Sequence, residues 1–140
     1  MRSAALAVGI LLLLGLTGCG GEDGPSTTTV STGTTAAGDV AAGREVFIST
    51  GCGSCHTLSE AGTTGLTGPN LDEGLVPSAE AAGAPLVEHV RTSIVNPDAW
   101  VMPQFSGGVM PTNYESELSD EDLDDLVAFL VDAADQPETP

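Results

Sequence analysis

The stretch "GCGSCHTL", Gly51 to Leu58, sets two thiols three residues apart and follows them at once with an imidazole. The spacing Cys52-x-x-Cys55-His56 is the attachment signature of a c-type haem. Two thiols at that separation, at the end of a helix, add to the two vinyl groups on one edge of a porphyrin. The next residue then brings an imidazole under the iron as proximal ligand. Gly53 and Ser54 are small and let the backbone lie close to the ring edge. A zinc site is the first alternative, but it needs a fourth ligand. His89 is the only histidine outside the motif, and three ligands within five residues is not finger spacing. A thiol–disulfide site is the second alternative, and it lacks the strand and helix pattern that accompanies such motifs.

Working downstream, "VMPQFSGGVMP", Val101 to Pro111, contains Val-Met-Pro twice. Its two methionines, Met102 and Met110, are the only ones besides the start residue. An iron that only carries electrons needs a sixth ligand. Thioether sulfur is soft, favours the ferrous state and raises the potential. It also closes the metal to oxygen and peroxide. A following proline removes an N–H and stiffens the loop. Met110 is the expected distal ligand, because Gly107 and Gly108 before it allow close backbone approach. Met102 is the alternative ligand and otherwise pocket packing. Trp100, Phe105 and Tyr114 are expected to wall the pocket. His89 would be a ligand only in a bis-histidine site, and its neighbours Glu88 and Arg91 place it on a solvated helix face.

Three helices are readable around these motifs. Asp39 caps a helix carrying Val40, Gly43 and Phe47 on one face, and Gly51 stops it. Pro85 starts a second, with Leu86, Val87, Val90 and Ile94 along one face and Asn96-Pro97 at its end. Ser119 caps a third. Asp120, Glu121 and Asp122 fill its first turn, and Leu123, Leu126, Val127, Leu130 and Ala134 form its stripe. The connecting stretches are rich in Gly and Pro, and no strand alternation stands out.

Upstream of the folded part the chain changes character. Arg2 followed by the apolar run Ala4 to Leu16 is an export signal, too short to span a bilayer as a mature helix. Leu16-Thr17-Gly18-Cys19 resembles the lipobox of bacterial lipoproteins, which implies cleavage before Cys19 and lipid on it. Residues 20–38 are mostly Gly, Ser and Thr and read as a flexible tether. The expected organisation is a signal over 1–18, lipidated Cys19 with its tether over 19–38, one domain over 39–136, and a tail over 137–140.

The ordered set of motifs resembles the class I cytochrome c family over about the last hundred residues. Gly43 and Phe47 match first-helix positions that cross the last helix, where Phe129 supplies a second aromatic. Cys52, Cys55 and His56 match the haem motif. "TGPNL", Thr67 to Leu71, matches the loop whose proline, here Pro69, offers its carbonyl to the proximal imidazole. The segment from Ser93 through "GVMP" to Leu130 is similar to cytochrome domains associated with subunit II of haem–copper oxidases, and there the methionine of the later tripeptide is the ligand. Met at the earlier position departs from that pattern. The resemblance implies an all-α fold, a small cytochrome c domain of three or more helices wrapped around one covalently bound haem c. It implies electron transfer between respiratory partners, such as a terminal oxidase, and not catalysis by the chain alone. The rival from another class is a haem enzyme or a gas or peroxide sensor with an open sixth position.

Composition narrows the partners. The 140 residues carry a formal charge of −17, with Arg2, Arg44 and Arg91 the only basic side chains. Nucleic acid is excluded as a partner, since phosphate binding needs clustered Lys or Arg. A redox protein with a basic docking face suits the charge. The expected location is outside the cytoplasm, anchored to a membrane through Cys19.

Overall fold

The computed structural model describes residues 36–136. The signal, Cys19, most of the tether and the tail over 137–140 lie outside the described residues. The first helix, α1 (Val40–Ser49), is capped as its sequence predicts: Asp39 Oδ1 accepts from the backbone N–H groups of Ala41 and Ala42. The last helix, α5 (Asp120–Ala134), opens with a reciprocal capping box. Ser119 Oγ accepts from Asp122 N–H, and Asp122 Oδ2 accepts from Ser119 N–H.

These two helices cross in the largest contact of the fold. The crossing point is Gly43. A Cβ there would stand 1.9 Å from the Asp125 carbonyl oxygen and 2.8 Å from Phe129 Cβ, so only glycine lets the backbones meet. One turn on, Phe47 and Phe129 pack edge to face, with ring centroids 5.9 Å apart. Asp39 N–H donates to Asp125 Oδ1 at 2.6 Å and ties the two helix starts together. The lower half of α5 is buried on nearly every side, from Leu126 to Val131, which is more than its single stripe predicts. Ala36, within the segment read as tether, is buried with this cluster.

The segment after the Cys-x-x-Cys-His motif holds structure that the sequence pattern did not announce. Two-residue strands β1 (Thr57–Leu58) and β2 (Thr63–Thr64) pair antiparallel, with Thr57 opposite Thr64. Such strands are too short to show alternation. Helix α2 (Leu71–Ala82) follows, despite Pro77 in its interior. Proline there removes one i to i−4 bond, and Glu73 loses its partner. Both residues are exposed, so the lost bond falls on the solvent side of the helix. The usual signals flank it: the Asn70 side chain accepts from Asp72 N–H, and Gly83 ends the helix. Asp72 also clasps the hairpin, accepting from Ser59 N–H at 2.8 Å and from Ser59 Oγ at 2.9 Å.

Helix α3 (Leu86–Val95) buries His89, Val90 and Ile94, and Arg91 pairs with Asp124 of α5. A single turn, α4 (Tyr114–Glu117), precedes α5. Helices α2 and α3 both pack on α5, and the motif and the methionine loop close the remaining sides.

Candidate haem site

Between the helices lies a cavity of about 430 Å³. Its lining brings together Cys52, Cys55 and His56 from the motif, Pro69 from the following loop, and Met102 and Met110 from the double tripeptide. Trp100, Phe105 and Tyr114 wall it as the sequence predicts, and Phe47, Val90, Ile94, Leu126 and Leu130 add an apolar surround. The volume is within the range of small-molecule and cofactor sites, roughly 300–1,000 Å³.

The motif sits just past α1. Cys52–Ser54 form one tight helical turn, and His56 N–H donates to Cys52 O at 3.1 Å. Neither thiol is in a disulfide. Thr50 fixes the first one: its hydroxyl lies 3.2 Å from Cys52 Sγ and donates to Val46 O at 2.7 Å. Burial pushes the Cys52 thiol up, and the Thr50 contact offsets part of that rise. Gly53 is small for a reason the sequence did not show. A Cβ there would stand 2.3 Å from Thr63 Cγ2, so the glycine admits strand β2.

His56 is held from two sides. Its Nδ1 lies 2.8 Å from Pro69 O. A carbonyl only accepts, so Nδ1 carries the proton and Nε2 keeps a free lone pair. Burial lowers the imidazole's affinity for a second proton, and the Pro69 bond opposes this more weakly. The ring is neutral, the form that ligates a metal. Gly68 presses on the same ring: a Cβ there would stand 2.5 Å from Cε1 and 2.8 Å from Nδ1. Among the described residues, no three His, Cys, Asp or Glu side chains converge to hold a bare metal ion. The donor set fits a porphyrin iron instead: two unpaired thiols, an oriented neutral imidazole and thioethers around one apolar cleft.

A family model described as "Cytochrome c" matches residues 40–134. The chain belongs to the cytochrome c family. This cytochrome therefore carries covalently bound haem c with its iron, and its chemistry is haem-based electron transfer. Among solved structures it is similar to the c-type cytochrome SorU from Sinorhizobium meliloti, at 32% identity and a TM-score of 0.48, covering 68% of this chain and 90% of that one. No curated protein matches it.

His89 is not on a solvated face, as its charged neighbours predicted. It is 6% exposed and lines the cavity. Its Nε2 lies 3.0 Å from Ser78 Oγ of α2, and its ring stands edge-on to Trp100, centroids 5.3 Å apart. The Ser78 hydroxyl already donates to Leu75 O at 2.8 Å. The histidine Nε2–H is therefore the donor, and His89 is a satisfied core residue. Arg91, the other neighbour, is drawn onto α5 by Asp124.

The two methionines differ in surroundings. Met102 borders a second, smaller cavity with Pro69, Asn70, Glu73 and Gln104. Its Cε would lie 3.9 Å from a Cβ on Gly74, so its side chain rests on the start of α2. Met110 lines only the main cavity of the two. Asp98 was not foreseen as part of the site. It lines the cavity and accepts from Gly108 N–H at 2.7 Å, two residues before Met110.

Proposed function

We propose that this cytochrome is an exported, lipid-tethered monohaem electron carrier. Cys52 and Cys55 hold the haem as thioethers, His56 is the proximal iron ligand, and Met110 is the distal one. The observation that carries this reading is the convergence of both thiols, Met110 and a neutral His56, oriented by Pro69 O, on one apolar cavity. When bound, the haem iron supplies a one-electron ferrous–ferric couple. The chain's own residues do the rest. Pro69 and Gly68 fix the imidazole ring. The thioether of Met110 favours the ferrous form and raises the potential. The apolar walls keep water from the ring. Packing of Met102 on α2 favours Met110 as ligand and leaves Met102 the role of pocket wall.

Donor and acceptor are proposed to be respiratory redox proteins with basic docking faces, a terminal oxidase being one candidate. Val109 lines the cavity, and Leu66 precedes the cavity-lining Thr67. Both are left exposed, at 56% and 88%. Apolar side chains there suit a partner that covers the cavity mouth, with acidic surface outside it. Cytochrome c domains are typically extracytoplasmic, and lipid on Cys19 would keep this one at a membrane. No helix among the described residues is long and apolar enough to cross one.

Visible spectra of the oxidised and reduced holoprotein, with Met110→Ala and Met102→Ala beside it, test the ligand set. Sharp low-spin bands are expected, with the far-red sulfur–iron band lost only in Met110→Ala. Loss only in Met102→Ala would move the ligand to the first tripeptide. A high-spin wild type that shifts with peroxide or carbon monoxide would replace the carrier by an enzyme or sensor.

A further inference from the structure

The segment that presents Met110 has no regular structure of its own. Between Pro97, which is buried, and Tyr114, which begins α4, the backbone is held by few hydrogen bonds. One is internal to the far end of the loop, from Phe105 N–H to Met102 O at 2.9 Å. The bond that closes the loop is made by a side chain. Asp98 Oδ1 accepts from Gly108 N–H at 2.7 Å and joins residues ten apart in sequence.

Three features fit this closure. Asp98 belongs to the short helical turn Pro97–Ala99, which follows α3 directly, so its backbone is fixed by the core. Gly108 has φ of 75°, a conformation that glycine adopts without strain. A Cβ on Gly107 would stand 3.1 Å from the same Oδ1, so the glycine pair leaves room for the carboxylate. The acceptor is an ionised oxygen, which makes a stronger bond than a neutral one.

The geometry points to Asp98 as the positioning residue of the distal ligand: it holds the Gly107–Gly108 turn so that Met110 stays on the iron. Asp98 acts through the backbone and does not touch the metal. This inference rests on the Met110 assignment above. A loop tied at Gly108 disfavours the open state in which Met110 has left the iron. Added ligands bind only that open state, so their apparent affinity measures its population.

The test uses ferric holoprotein and imidazole, which competes with Met110 for the iron. Asp98→Ala is expected to bind imidazole about tenfold more tightly than wild type, the equivalent of one hydrogen bond. Asp98→Asn keeps an oxygen acceptor at the same place but loses its charge, and is expected to gain only about threefold. Urea unfolding, followed by circular dichroism, is recorded on both variants to separate the loop from the fold. Asp98 is exposed, so the unfolding midpoint is expected to change little. Unchanged imidazole affinity in Asp98→Ala overturns the proposal. So does an equal gain in both variants, or a gain that tracks a fall in the urea midpoint. The Met110 assignment fails separately, when the far-red band is absent from wild type or survives Met110→Ala.

Discussion

His56 is half-buried and His89 buried, and the hydrogen-bond partner of each imidazole decides its role. His56 donates to a carbonyl and keeps Nε2 free for a metal. His89 spends its Nε2–H on Ser78 and packs on Trp100. Burial alone lowers the His89 pKa from its ordinary value, and the two side chains that contact its ring, Ser78 and Trp100, do not titrate. A neutral His89 in the folded state has a consequence for acid stability. Below about pH 6.5 the unfolded chain takes up a proton that the folded protein refuses. Stability present above that pH is therefore lost as pH falls from there toward the depressed folded-state pKa. Urea midpoints measured between about pH 7 and pH 5 should fall in wild type and stay flatter in His89→Gln. An equal slope in both would mean that other groups set the acid limit. The sequence misplaced His89 because its neighbours are charged, yet Glu88 is exposed and Arg91 turns to Asp124. A residue's neighbours in sequence point to different sides of a helix, so they do not report its own face.

Helices α1 and α5 were legible from end to end, and their crossing rests on one residue. Gly43→Ala raises intrinsic helix propensity by about 1 kcal/mol. The added Cβ meets backbone atoms of α5 that cannot swing aside. Overpacking of that kind costs roughly 1–3 kcal/mol. The clash should win, and Gly43→Ala should lower the unfolding free energy of the holoprotein; a more stable variant would show that the helices part easily. Helix α2 was less legible. Its Asn70 cap, its acidic first turn and Gly83 at its end were all in the sequence, but Pro77 inside it reads as a break. The proline is tolerated because its ring and the carbonyl it frees are both on the exposed side, a fact set by how α2 packs on α3 and α5.

Over the whole molecule, acidity dominates. Of the described residues, Arg44 pairs with Glu45 and donates to Glu60 O, while Arg91 pairs with Asp124. The proposed partner would meet a strongly negative surface, with exposed Val109 and the Asp98 carboxylate both among the residues lining the cavity. Electron exchange with a redox protein of basic face should slow by roughly tenfold as salt rises from about 0.01 M to 0.15 M, because the Debye length shrinks across that range. Stopped-flow rates against ionic strength check this. A flat profile would place the encounter on the apolar rim around Leu66 and Val109 instead.

The Cys-x-x-Cys-His motif was legible in the sequence itself. Its two thiols and its imidazole are close neighbours in the chain, and covalent spacing alone brings them to one edge of the cavity. Helix caps and apolar stripes are local in the same sense, so α1, α3 and α5 could be read directly. The tertiary structure decided what depends on residues far apart in the chain. It brought both Met102 and Met110 to the main cavity and rested Met102 also on α2, turned His89 toward Ser78, and set Asp98 against Gly108. Those contacts follow from how helices pack and loops close around a shared core. No local pattern encodes them, because each depends on the path of the whole chain between its two ends.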